Sequence, residues 1–252
     1  MALKEEFEKQ GNVLFVYRSY IPLLILFAGI AVFATKKALY NNAGLLGLCE
    51  SQNEILGLII GLFGLLIRMY TVGYTPQNTS GRNTSEGQVA EFLNSTGIYS
   101  TVRHPLYLGN FFMYLGIAVI TLNIYFVVGF ILLFWLYYER IMYAEEQFLL
   151  GQFGNSYQEW SDKTPAFIPS FKNWKKPELS FSWKKVAKKE KNGLFGLFVV
   201  FFVFRLIGNY IETGGFIVDR DWLTYATVTS GILYLILKYI KKYTTLLDEE
   251  GR

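Results

Sequence analysis

The chain has 252 residues, of which 52% are hydrophobic, 18% aromatic and only 17% charged, and its mean hydropathy is +0.27. That balance excludes an ordinary soluble domain, because the charge is gathered into short segments between long uncharged runs. A single cysteine, Cys49, excludes an internal disulfide; with only one histidine beside it, a Cys/His metal site is not expected. The net charge of +4 sits on no soluble basic domain, so no nucleic-acid partner is expected either.

A bilayer core about 30 Å thick is crossed by roughly 20 apolar helical residues. Apolar runs at 13–35, 55–73, 106–121, 124–138, 194–211 and 222–240 therefore predict an all-α, polytopic membrane helix bundle. The count is about five or six spans. The first run follows a charged amphipathic start, Lys4 to Gln10, and is long enough to span rather than to be a cleaved signal. Only Leu122 and Asn123 separate the third and fourth runs, which reads as a tight hairpin with arms short for a full crossing.

Lysines crowd the stretch 163–191, so the positive-inside rule places it in the cytoplasm. Counting spans from there puts the segment 75–105 and both termini on the same side, with Lys36 and Lys37 as the exception. Three segments follow: 1–74 with the N-terminal spans, 75–175 as a core, and 176–252 as a basic linker with the C-terminal spans. Asn-x-Ser/Thr triplets at Asn78, Asn83 and Asn94 fall in the inward loop and read as a polar loop rather than as glycosylation sites.

Three motifs lie in the polar segments. In Gly97-Ile-Tyr-Ser-Thr-Val-Arg-His-Pro-Leu-Tyr-Leu-Gly109, Arg103 and His104 stand at the water edge of a span that Pro105 opens. The helix start suits a carboxylate, and Gly109 lets a cofactor or a neighbouring helix come close. The second motif, Glu139-Arg-Ile-Met-Tyr-Ala-Glu-Glu146, carries three acids and Arg140 out of a span on one helix. Arg140 lies roughly 100° or more around that helix from Glu145 and Glu146, so one pocket cannot receive all of them. In the third, Phe153-Gly-Asn-Ser-Tyr157-Gln-Glu-Trp160 and then Pro165-Ala-Phe-Ile-Pro169, a helix breaks at Gly154, restarts, and ends in a Pro-bounded loop.

In this order and spacing the motifs resemble the isoprenylcysteine carboxyl methyltransferase and phospholipid methyltransferase family. The likeness covers about residues 97–169. It implies a membrane-embedded enzyme that transfers a methyl group from S-adenosylmethionine to a membrane lipid or lipid-linked substrate. It also implies a cofactor site built from Tyr99, Val102, Arg103, His104, Leu108, Gly109, Glu146 and Tyr157, with Arg140, Glu145 and Glu146 as catalytic candidates. The Asn/Thr/Ser-rich stretch ahead of the first motif looks similar to bacterial lipid A phosphate methyltransferases, which implies a bacterial inner membrane and a lipid phosphate acceptor.

A carboxylate or phosphate oxygen is already ionised and needs a cation to hold it, a task for which Arg140 is the candidate and Arg103 and Arg68 the reserves. A phospholipid amine would instead need a base, which Glu145 or Glu146 could supply. Two other classes stand beside this reading. Membrane sterol or enone reductases, which use NADPH, share a similar Arg-His-Pro-Asn-Tyr segment. Here Leu106 replaces that Asn and a Glu-Glu pair follows, both of which favour methyl transfer. A noncatalytic lipid-binding scaffold is the other.

Overall fold

The computed structural model describes residues 2–39, 49–76, 83–84, 87–88 and 90–251. Arg82 and the Asn78 triplet lie outside the described residues, as does Ser85 of the second triplet. Among the described residues, eight α-helices carry the fold: α1 Leu3–Tyr17, α2 Ile21–Leu39, α3 Glu50–Tyr74, α4 Pro105–Ile120, α5 Ile124–Phe153, α6 Asn155–Ser161, α7 Trp183–Thr213 and α8 Trp222–Tyr243. Two strands of two residues each, Asn83–Thr84 and Gly87–Gln88, pair antiparallel between α3 and α4. The all-α polytopic bundle expected from the apolar runs is what forms.

Among the described residues, five helices are long and apolar enough to cross a membrane: α2, α3, α5, α7 and α8. Their outward faces present Leu24, Phe27, Leu132, Leu133 and Leu235 as exposed side chains, a surface that suits lipid rather than water. The chain is a multi-pass membrane protein. At 16 residues α4 is shorter. It rises only ~24 Å. Protein encloses much of it, with Gly116 through Ile120 all buried, so it need not match the lipid thickness by itself.

The first apolar run corrects the expectation. It is not one span from 13 to 35: α1 ends at Tyr17, and a turn at 18–20 separates it from α2. Arg18 Nη1 donates to Phe15 O at 2.7 Å and closes α1, while Pro22, which lacks an N–H, fits the first turn of α2. α1 lies along the C-terminal half of α5. Gly11 touches Arg140 O so closely that a Cβ there would sit 2.1 Å away. Gln10 Oε1 accepts from Arg140 Nε at 2.8 Å, and the Arg140 guanidinium stacks 4.7 Å over the Phe7 ring.

At the centre, α3 and α4 meet backbone to backbone. A Cβ on Gly57 would stand 2.7 Å from Gly116 O, and one on Gly64 would stand 2.4 Å from Gly109 O. Small residues permit this approach, which drives helix association where lipid tails offer no hydrophobic contrast. Gly109 thus makes room for a helix, one of the two uses its motif suggested. The α4–α5 hairpin turns at Leu122, with φ at 58°, and Asn123 caps α5 by accepting from the Tyr125 and Phe126 N–H groups. Lys36 donates to Leu122 O, and Lys37 pairs with Glu50 at 2.6 Å and Glu212 at 3.0 Å. The two lysines that broke the charge rule therefore bind the α4–α5 turn and the ends of α2, α3 and α7 together.

The glycine seam makes a testable distinction. Gly64→Ala should cost about 2 kcal/mol by overpacking against α4. Gly196→Ala, where nothing lies within 4 Å of the added Cβ, should leave the melting temperature unchanged or raise it. Equal melting temperatures in detergent for the two variants would contradict the seam.

Candidate active site

The first motif is held open by the third. Gly97, at φ 58°, starts a tight 3-10 turn over Ile98–Ser100, and its N–H donates to Lys175 O at 2.9 Å. The Arg103 N–H donates to Pro165 O at 2.9 Å and the His104 N–H to Ala166 O at 3.2 Å. Ser170 N–H closes the strap on Thr101 O at 2.9 Å. The Pro-bounded loop is therefore a brace: its backbone satisfies the donors of the Arg-His pair and fixes where their side chains start. Gly154, at φ 53°, ends α5 and lets α6 turn back, as the sequence indicated. This turn brings Tyr157 and Trp160 beside the motif, where Trp160 Nε1 donates to Tyr99 O at 2.9 Å.

Two cations and two anions then meet. His104 Nε2 lies 2.9 Å from Glu146 Oε1, and its Nδ1 lies 3.6 Å from Glu145 Oε2. Arg103 Nε is 3.1 Å from the same Glu146 oxygen, as an ion pair rather than an aligned hydrogen bond, and its Nη1 donates to Ser161 O at 3.3 Å. His104 is 6% exposed and Glu145 7%, so little water screens these charges. Burial works to discharge the imidazole. The hydrogen bonds and charges of Glu145 and Glu146 outweigh it and hold the ring's pKa above 6.5. Burial, helped by the Glu146 charge, pushes the Tyr157 phenol above its ordinary value of 10.

The cluster forms one wall of a cavity of about 840 Å³. Tyr99, Arg103, His104, Glu145 and Tyr157 line it, and Glu146 backs the wall through His104 and Arg103. Among the described residues, Glu145 Oε2, Tyr107 Oη and Tyr157 Oη are buried there without a hydrogen bond of good geometry. Three expected cofactor residues stand elsewhere. Val102 is fully buried in the protein, Leu108 is 7% exposed and off the cavity, and Gly109 faces α3. Arg140 is also off the cavity, against α1. In its place Arg18, from the α1–α2 turn, and Arg68, from α3, line the cavity with Asn110 and Asn192. Tyr107 and Trp160 lie within the first and third motifs but were not singled out, and Asn110 and Asn192 carried no signal in the sequence; their place comes from the strap, the α4 axis and the packing of α7.

The raised pKa of His104 gives a pH dependence of known sign. The charged ring's stabilisation is fully present below its unfolded pKa of ~6.5 and is lost as pH rises through the higher folded value. The melting temperature in detergent should fall across that window in the unmodified protein and stay flatter in His104→Gln. Parallel curves would contradict the pairing.

Residues 53–156 match the family described as phospholipid methyltransferase. Protein-S-isoprenylcysteine O-methyltransferase of Xenopus laevis is 31% identical over 122 residues, which is 48% of this chain and 42% of that protein. The Schizosaccharomyces pombe protein of the same name is 30% identical over 118 residues, 47% of this chain and 49% of that one. A nickel-cobalt-cadmium resistance protein of Alcaligenes xylosoxydans xylosoxydans is 33% identical over 114 residues, 44% of this chain and 49% of that one. The matches thus cover less than half the length of these relatives. No solved structure matches the chain. The stretch 53–156, which runs from α3 into α6 and carries His104, Glu145 and Glu146, is the part of the chain that is similar to the phospholipid methyltransferase family.

Proposed function

We propose that the protein transfers a methyl group from S-adenosylmethionine to an anionic oxygen of a membrane-embedded acceptor. The observation that carries this reading is the single wall on which Tyr99, Arg103, His104, Glu145 and Tyr157 converge from three separate stretches of the chain. The donor set fits the cofactor. A carboxylate with a buried, unsatisfied oxygen suits an ammonium or ribose hydroxyls, Arg103 suits a carboxylate, and Tyr99, Tyr157 and Trp160 suit an adenine face. When bound, S-adenosylmethionine supplies an electrophilic methyl group that is displaced in line from a sulfonium.

Because the donor is already activated, the chain's residues orient and exclude water more than they move protons. The paired imidazolium and Glu146 hold the Arg103–His104 segment in one position. Arg18, which lines the cavity, takes the anion-holding role that the sequence suggested for Arg140, while Arg140 fixes α1 and through it the Arg18 turn. An ionised phosphate or carboxylate needs no base. An ammonium would meet Arg18 and Arg103 and would need deprotonation first. Phosphate was the acceptor suggested by the Asn/Thr/Ser-rich stretch; the names of the Xenopus and yeast relatives support a carboxylate instead. They also favour methyl transfer over NADPH-dependent reduction. The lysines of the segment 163–191 and of the end of α8 support an entrance for the cofactor on the cytoplasmic side.

Two measurements test the reading. Glu146→Ala and His104→Ala should each weaken S-adenosylmethionine binding about ten-fold or more, the loss expected for a buried charged hydrogen bond. Arg140→Ala should leave that affinity unchanged and lower the melting temperature. Unchanged calorimetric affinity in folded Glu146→Ala and His104→Ala would remove the cofactor wall from the account. Radiolabelled methyl donor with fractionated membrane lipids should then give a base-labile methyl ester or a methylated phosphate; label on nitrogen would overturn the anionic acceptor.

A further inference from the structure

The same cavity is lined by a second polar group. Arg68, inside the apolar helix α3, donates Nε and Nη2 to the two carboxylate oxygens of Glu190 at 2.9 and 2.8 Å, and Nη1 to Asn110 Oδ1 at 2.6 Å. Glu190 comes from α7 and Asn110 from α4, so three helices build the group. Ionisable side chains inside a membrane bundle are costly, and a pair that only joins helices is often replaceable by apolar residues without loss.

Two observations point past a joining role. The exposure is one-sided: the Glu190 side chain is 5% exposed and that of Arg68 24%, and Arg68 and Asn110 line the cavity while Glu190 does not. The carboxylate is sealed behind the guanidinium that it orients. Of the guanidinium's five N–H donors, the two not given to Glu190 or Asn110 have no partner among the described residues.

We propose that Arg68 and Asn110, with Glu190 behind them, form a subsite for a neutral oxygen of the acceptor; this rests on the methyl-transfer reading. Glu190 neutralises Arg68, so the group does not compete with Arg18 and Arg103 for the anionic oxygen. It offers polarised N–H donors in a low-dielectric site, which suit an ester or amide carbonyl or a hydroxyl. Asn110 lies six residues beyond His104 along α4, a rise of ~9 Å. The acceptor class is therefore a lipid that carries oxygen functions close behind its anionic head, as a glycerolipid or glycolipid does. A bare isoprenoid chain would leave these donors unpaired, and a site built to hydrogen-bond a group rejects an analogue that lacks it.

Arg68→Leu combined with Glu190→Leu removes the subsite without stranding a buried charge. With radiolabelled S-adenosylmethionine and a titrated membrane lipid extract, the half-saturating lipid concentration should rise about ten-fold or more. Calorimetric affinity for S-adenosylmethionine should stay unchanged. Unaltered lipid saturation would overturn the subsite, and so would weakened cofactor affinity, which would make Arg68 part of the cofactor's seat. Asn110→Leu keeps the ion pair and should shift lipid saturation in the same direction; if the double variant does not fold, no shift in Asn110→Leu overturns the proposal. On the unmodified protein, dioleoyl phosphatidic acid should compete with the extract more strongly than its diether analogue, and equal competition would contradict the neutral-oxygen role. Failure of the unmodified protein to bind S-adenosylmethionine at all would instead remove the methyl-transfer reading, and the subsite with it.

Discussion

A charge inside an apolar helix bundle has to be neutralised where it stands, because neither lipid nor packed side chains can solvate it. The architecture follows that constraint. At one end Lys37 joins Glu50 and Glu212, and Arg205 bridges Glu54 and Asp221, so two ion-pair groups tie α2, α3, α7 and the start of α8 together. Midway, Arg68 and Glu190 tie α3 to α7. At the other end Arg103 and His104 face Glu145 and Glu146. Among the described residues, this last group is charge-balanced and keeps a buried carboxylate oxygen, Glu145 Oε2, without a hydrogen bond of good geometry, which is the condition of a site prepared for a ligand rather than of a finished joint.

The C-terminal helices belong to this arrangement even though α7 and α8 fall outside the stretch that matches the family. α7 supplies Glu190 to Arg68, and Asn192 and Gly193 to the cavity wall. Arg205, on the same helix, holds Glu54 at 3.0 Å. Phe201 and Phe204 are fully buried in one cluster with Phe33, Leu58 and Ile117, and Phe204 stands edge-on to Phe33 at 5.2 Å. A helix pair placed this way can change what the cavity accepts without touching the residues that would hold the cofactor.

Much of this was legible from the chain alone, for stated physical reasons. Run length indicated the spans, and the break at Gly154 and the α4–α5 hairpin were local signals that tertiary packing did not override. The break at Arg18-Ser19-Tyr20 was missed because α1 and α2 are both apolar on their packed faces, so hydropathy runs through the turn; Pro22 was the available mark. The helical angle between Arg140 and the Glu145–Glu146 pair already implied that they face apart, and α1 is what Arg140 faces. Glu190 was hidden in a run of lysines, and its partner Arg68 lies 122 residues earlier. No spacing rule connects such a pair. The cavity residues Asn110 and Asn192 are legible only once α4 and α7 are packed.

The central claim is that the wall formed by Tyr99, Arg103, His104, Glu145 and Tyr157 seats the methyl donor. A structure of the protein in lipid nanodiscs with S-adenosylhomocysteine, the demethylated product, tests it most directly. The account predicts ligand density inside the cavity, against His104 and Glu145 and beside Trp160. Density elsewhere on the protein, with this cavity filled only by solvent or lipid, would contradict it.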